Sequence, residues 1–199
     1  MKKLIFAILI ATGVYGVVSA EDQMLFGGII THGGFGAPAI KFTQIKDENA
    51  ILVGGRGGWI INHCLVIGGG GYGLVNENID KYQVSPGHTR FLSVGYGGLE
   101  MEYIAMSHRL FHPTLGMLIG GGSVNYLDRY HGDIDQSNDD FDGFFIFEPS
   151  ASIELNIMPF WRTDIGVSYR FVSGIDSFGL KDSDISGLSG VITLKFGKF

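Results

Sequence analysis

The chain has 199 residues, a formal charge of −6 and one cysteine, Cys64. An acidic balance without a basic patch excludes a partner held by displacing counterions from phosphate, so no nucleic acid is expected; one cysteine excludes an intramolecular disulfide. Glycine supplies 32 residues, well above the usual share of about 7%. There is no collagen period and no low-complexity run, so this surplus belongs to ordered backbone.

Lys2 and Lys3 precede an uncharged apolar run, 4–18, and Val18-Ser19-Ala20 offers small residues before a cut at Glu21. That is the layout of a secretory signal peptide, and the run falls short of the ~20 residues a spanning helix needs. Residues 1–20 are therefore expected to be a signal peptide and 21–199 one domain. Without Lys2 and Lys3 its formal charge moves from −6 to −8. No later segment is apolar and long enough for a spanning helix.

The remainder reads as eight strands: 29–45, 51–61, 65–76, 91–105, 115–126, 144–155, 162–172 and 187–196. Gly33, Gly34, Gly36 and Pro38 leave a break in the first one open. In the fourth, Leu92, Val94 and Tyr96 share one parity, while Leu99, Met101 and Tyr103 share the other. A β-bulge near Gly97-Gly98 would put both sets on one face and turn Glu100 and Glu102 to the other. In the sixth strand Phe145, Phe147, Ile153 and Leu155 alternate with Glu148, Ser150, Ser152 and Glu154. In the seventh Ile165, Val167, Tyr169 and Phe171 alternate with Arg162, Asp164, Ser168 and Arg170. In the eighth Leu188, Ile192, Leu194 and Phe196 oppose Ser189, Thr193 and Lys195.

Successive side chains on a strand point to opposite faces, so each of these strands has an oily side and a charged side. The connections 62–64, 106–114 and 156–161 are tight. Those at 76–90, 127–143 and 173–186 are wider, with 47–50 a short member of that second class. A polar inside, an oily outside and alternating short turns and long loops are the pattern of a transmembrane barrel. Eight strands put both termini on the short-turn side. The expected fold is therefore all-β, an antiparallel up-and-down barrel in lipid. Trp59, Phe91, Tyr126, Phe160 and Trp161 lie near strand ends, where aromatic girdles sit.

In this pattern the chain resembles the small eight-stranded bacterial outer-membrane barrels. Phe199 is similar to the terminal aromatic of their last strand, but Ile192, Leu194 and Phe196 carry the apolar face out of phase with it. The resemblance implies an outer-membrane location and contact with outer-membrane lipid and lipopolysaccharide. It also implies assembly by the barrel assembly machinery through the strand ending at Phe199.

Nine charges are expected inside: Arg56, Glu100, Glu102, Glu148, Glu154, Arg162, Asp164, Arg170 and Lys195. An eight-stranded barrel is only wide enough for its own side chains, so a neutralising network filling the lumen is expected rather than a pore. Glycine clusters at 54–58, 68–73, 95–98 and 120–122 fall near the centres of four consecutive strands. They serve curvature and close approach, or else a groove for a lipid chain at Gly55, Gly69, Gly97 and Gly121.

Other motifs carry less. Gly68 to Gly73 matches GxGxxG but runs on as Leu74-Val75 in a strand pattern, whereas a dinucleotide site needs a helix there. His63, His108 and His112 are read as solvated turn residues without metal-ligand spacing. The acidic loop 131–142 begins like a calcium loop at Asp133, Asp135 and Ser137, but Asn138 and Phe144 replace its glycine and glutamate. Nothing forces His32 or His88 against Ser85 or Ser93, so no catalytic, cofactor or metal residue is assigned. The expected role is structural or surface-interacting. The alternatives are a lipid-handling barrel (an acyl carrier or a lipid acyltransferase or deacylase) and a secreted soluble barrel with an apolar ligand. The soluble barrel would bury Ile165, Val167 and Tyr169.

Overall fold

A computed structural model describes residues 30–130, 133–135 and 141–199; the expected signal peptide and most of the acidic loop lie outside them. Ten strands are present among these residues: β1 His32–Ile45, β2 Glu48–Ile61, β3 Leu65–Leu74, β4 Tyr82–Ser85, β5 His88–Ile104, β6 Phe111–Tyr130, β7 Asp133–Asp135, β8 Phe141–Met158, β9 Trp161–Ser173 and β10 Gly187–Lys198. One short helix, α1 Asp182–Ile185, precedes β10.

Eight of the strands are staves of a closed antiparallel barrel in the order β1-β2-β3-β5-β6-β8-β9-β10. It closes where β1 meets β10, with Gly34 opposite Lys198 and Phe42 opposite Gly190. Closure leaves no stave with an open edge, which the hydrocarbon of a bilayer demands because it offers backbone amides no partner. β4 and β7 are short additions that pair with the outer ends of β5 and β6. β1 is a single strand of 14 residues. Its ladder to β2 is unbroken, while the ladder to β10 skips Ala37 and Pro38, where proline brings no amide hydrogen.

β1 and β2 are joined through Lys46 and Asp47, both at positive φ (51° and 61°), the backbone of a two-residue hairpin of the type that matches strand twist. The ends joined by 62–64, 105–110 and 159–160 are thus the tight end of the barrel. The ends joined by 46–47, 75–87 and 174–186 are the loop end.

The expected bulge is absent. β5 pairs with both β3 and β6 without a register shift through Gly97 and Gly98. Leu92, Val94 and Tyr96 point inward on the same parity as Glu100 and Glu102. They are accommodated because the loop-end part of the interior is itself apolar. There, Leu52, Val124, Phe144, Ile146 and Val172 meet Ile79 from the 75–81 loop and Ile175, Leu180 and Ile185 from the 174–186 loop. Ile79 and Ile185 have no exposed surface at all. The loops seal the mouth with an oily plug.

The outer wall is oily. Ile165 is 61% exposed, Val167 51% and Tyr169 41%, which corrects the soluble-barrel alternative: burying these residues is what that fold required. Trp59 and Phe160 are also exposed on this wall, and Trp161 stacks on Phe196. Two residues expected in the girdle are elsewhere. Tyr126 turns into the mouth and donates its hydroxyl to Asp80, and Phe91 is buried beneath the Arg129 guanidinium. Among the described residues, no helix is long and apolar enough to cross a membrane.

Candidate functional site

The polar middle of the lumen holds the densest chemistry. Inward positions alternate along every stave, so strands distant in sequence aim their charges at one axis. Arg56 on β2 contacts Glu100 at 2.6 Å and Glu102 at 2.8 Å on β5. Across the barrel, Lys195 on β10 reaches Glu102 at 2.7 Å, Glu154 at 2.5 Å and Asp164 at 3.3 Å. Arg162 also donates to Glu154, at 2.9 Å. Arg170 donates its Nε to the carbonyl of Ile185 at 2.7 Å, tying the wall to the plug.

Four participants lie outside the nine charges expected from the sequence. Lys41 on β1 is 4% exposed and holds both carboxylate oxygens of Glu148 at 2.8–2.9 Å. Tyr96 and Ser168 also donate to Glu148, at 2.9 and 2.5 Å. Tyr72 donates to Glu100 at 3.0 Å, and its ring lies 3.5 Å beneath the Lys41 ammonium. The signal for Lys41 was the alternation Ile40-Lys41-Phe42-Thr43, which faces its charge away from two oily neighbours.

His112 corrects the solvated-turn reading: its side chain is fully buried and pairs with Glu154 at 2.9 Å. β6 begins at Phe111, four residues before the expected start, and so carries His112 into the wall. With Lys41 counted, five carboxylates face five bases: Lys41, Arg56, Arg162, Arg170 and Lys195. A space of about 30 Å³ lies beside Lys41, Arg56 and Asp164, on the scale of a bound water. At the tight end Phe199 turns inward, stacking on Phe35 with Arg162 over its ring at 4.2 Å.

The glycine clusters divide by direction. Gly54, Gly68, Gly98 and Gly120 face inward, and a Cβ on any of them would collide with a carbonyl oxygen of the neighbouring strand. At Gly70 it would meet the Glu100 carboxylate. These glycines let the sheet coil tightly around large inward side chains. The outward set differs. Gly55, Gly71, Gly97 and Gly121 stand directly opposite one another across four neighbouring staves, with Gly69 one row nearer the tight end. A Cβ would have ordinary room at Gly55 and Gly71, a snug fit at Gly69 and Gly121, and a tight contact only at Gly97. The four candidate groove glycines thus lie on the outer wall, not in an internal pocket.

At the loop end His88 and Arg90 both engage Asp128, at 2.8 and 2.7 Å. His32 stacks on Trp59 at the opposite end, so the two histidines stand apart. Gly68 to Gly73 lies within β3, without a following helix. Among the described residues, no group of three His, Cys, Asp or Glu side chains is arranged to hold a metal.

No family model matches the chain, and no curated protein matches it. Solved structures do. Neisserial surface protein A is 12% identical, with a TM-score of 0.58 over 86% of this chain and 100% of that one. Ail, the attachment invasion locus protein of Yersinia pestis, solved in complex with the heparin analogue sucrose octasulfate, is 11% identical. Its TM-score is 0.52 over 83% of this chain and 97% of that one. The outer membrane protein OprG from Pseudomonas aeruginosa superposes at only 0.30, too low to count toward the fold. Eight closed staves, an oily outer wall and this likeness lead to one conclusion: the chain has the fold of the small, eight-stranded outer-membrane β-barrels.

Proposed function

We propose that this barrel serves the outer membrane as a structural and surface-interacting protein rather than as a channel. The observation that carries the reading is the filled interior: a charge-balanced polar tier beneath an apolar plug made by the loops. Ions crossing it would have to break several buried pairs and displace Ile79 and Ile185. Purified protein in a planar bilayer is therefore expected to give no unitary conductance. Reproducible steps that persist after heat-denatured controls are subtracted would sink the closed-lumen reading. Assembly through the strand ending at Phe199 belongs to the same proposal.

The sulfated heparin analogue belongs to Ail. Among the described residues at the loop end of this chain, Lys46, Arg90 and Arg129 are each paired with a carboxylate, while Lys81 and Lys181 are exposed. Contact through the loops with lipopolysaccharide or a neighbouring protein remains part of the reading.

A lipid-handling role is the second reading, favoured by the outward glycine row, whose missing side chains the packing does not fully require. Replacing Gly69 and Gly121 together by Leu should lower the number of acyl chains that copurify with each barrel, counted by mass spectrometry. The heat-dependent gel mobility shift of a folded barrel should survive. Unchanged lipid content in a normally shifting variant would remove this second reading.

A further inference from the structure

On the opposite wall, β10 leaves a gap in the oily surface. Gly190 faces outward between Leu188 and Ile192, opposite Phe42 of β1 and Val167 of β9. A Cβ there would meet nothing within 4 Å. Around this gap Phe42, Ile51 and Leu188 line a groove of about 530 Å³, within the size range of ligand sites. Its upper end is polar, with Gln44 and Asn49 side by side.

A second depression of about 160 Å³ adjoins it, sharing Gln44 and Leu188 as lining and adding Lys46, Asp47, Ser183 and Asp184. It sits where the β1–β2 hairpin meets α1, held by the Lys46 amide donating to the Asp184 carbonyl at 2.8 Å. The Lys46 ammonium is committed to Asp80 at 2.6 Å. Asp47, which is exposed, and Asp184, whose Oδ2 accepts from the Lys181 amide at 2.9 Å, therefore set the sign of this depression, and it is acidic.

An oily trough on the lipid-facing wall, continuous with an acidic recess at the rim, has the two parts of one amphiphile. We propose that it is a binding site for a membrane lipid whose acyl chain lies over Gly190 and whose head presents ammonium or hydroxyl donors to Asp47 and Asp184. The trough faces hydrocarbon, so its occupant comes from the bilayer. The acidic recess selects against heads that carry only phosphate charge. This inference goes beyond a structural role and rests only on the barrel spanning a bilayer.

The test is native mass spectrometry of the full chain in detergent, with palmitoyl lysophosphatidylethanolamine and palmitoyl lysophosphatidic acid as probes of equal tail. The wild type should retain the ethanolamine lipid about two- to fivefold more than the acid, the scale of one exposed ion pair. Gly190→Leu, which fills the trough from open space, should lose retention of the ethanolamine lipid. Asp47→Asn, an exchange that tolerates positive φ, should keep tail binding but lose the head preference. The gel mobility shift confirms in each case that the barrel is folded, so failure of the site and failure of the barrel reading are distinguishable. Equal retention of both lipids by the wild type, or undiminished retention by a folded Gly190→Leu barrel, would overturn the proposal.

Discussion

Replacing Lys195 by Met should lower the stability of the barrel by about 3–5 kcal/mol, the usual cost of removing one partner from a buried ion pair. The Lys195 side chain is 1% exposed and stands within ion-pair distance of Glu102, Glu154 and Asp164. Once it is gone, Arg56 and Arg162 are left to balance those three carboxylates and Glu100 in that part of the lumen. Methionine restores the volume, so the loss isolates the charge. The measurement is urea-dependent unfolding in lipid vesicles, followed by tryptophan fluorescence. Adding Glu154→Gln to Lys195→Met should recover part of the loss, since one of the orphaned charges disappears, and such coupling is expected among contacting residues. A Lys195→Met barrel that unfolds at the wild-type urea concentration would mean that the buried pairs contribute nothing net.

The second large effect concerns two glycines three residues apart on β3 and opposite in direction. Gly68→Ala should prevent assembly or cost roughly 3 kcal/mol or more, beyond ordinary overpacking, because the methyl group would land in the carbonyl of Gly57. A backbone carbonyl on an adjoining stave cannot rotate aside as a side chain does. Gly71→Ala, facing lipid, has its nearest contact at 3.6 Å and should be neutral. The fraction of protein showing the heat-dependent mobility shift after refolding reads both variants. Equal behaviour of the two would show that direction, and hence the coiling argument, is irrelevant.

The eight staves were legible because strand periodicity is short-range and unambiguous where the two faces differ in polarity. β9 is the clearest case: Ile165, Val167, Tyr169 and Phe171 against Arg162, Asp164, Ser168 and Arg170 leaves one sensible orientation. β5 shows where that reasoning stops. Leu92, Val94 and Tyr96 are as oily as Leu99, Met101 and Tyr103, so a bulge looked economical. Only the loops show why none is needed. Ile79, Ile175, Leu180 and Ile185 arrive from 75–81 and 174–186 to make that end of the lumen apolar.

The place of His112 is illegible in the sequence for a related reason. Its local neighbours, His108, Arg109 and Pro113, read as a turn, whereas its burial depends on Glu154, 42 residues away and brought alongside by the β6–β8 register.

By itself, then, the sequence determined the class of fold, the number of staves and which way most side chains face, because alternation of oily and charged residues is written locally along each strand. The tertiary structure decided how the interior is divided and closed. The balance brought by Lys41, the sealing of the mouth, the inward turn of Phe199 and the joining of Gly190 to the acidic rim each depend on strands and loops far apart in sequence. Those contacts exist only once closure of the barrel has set every stave in register with its neighbours.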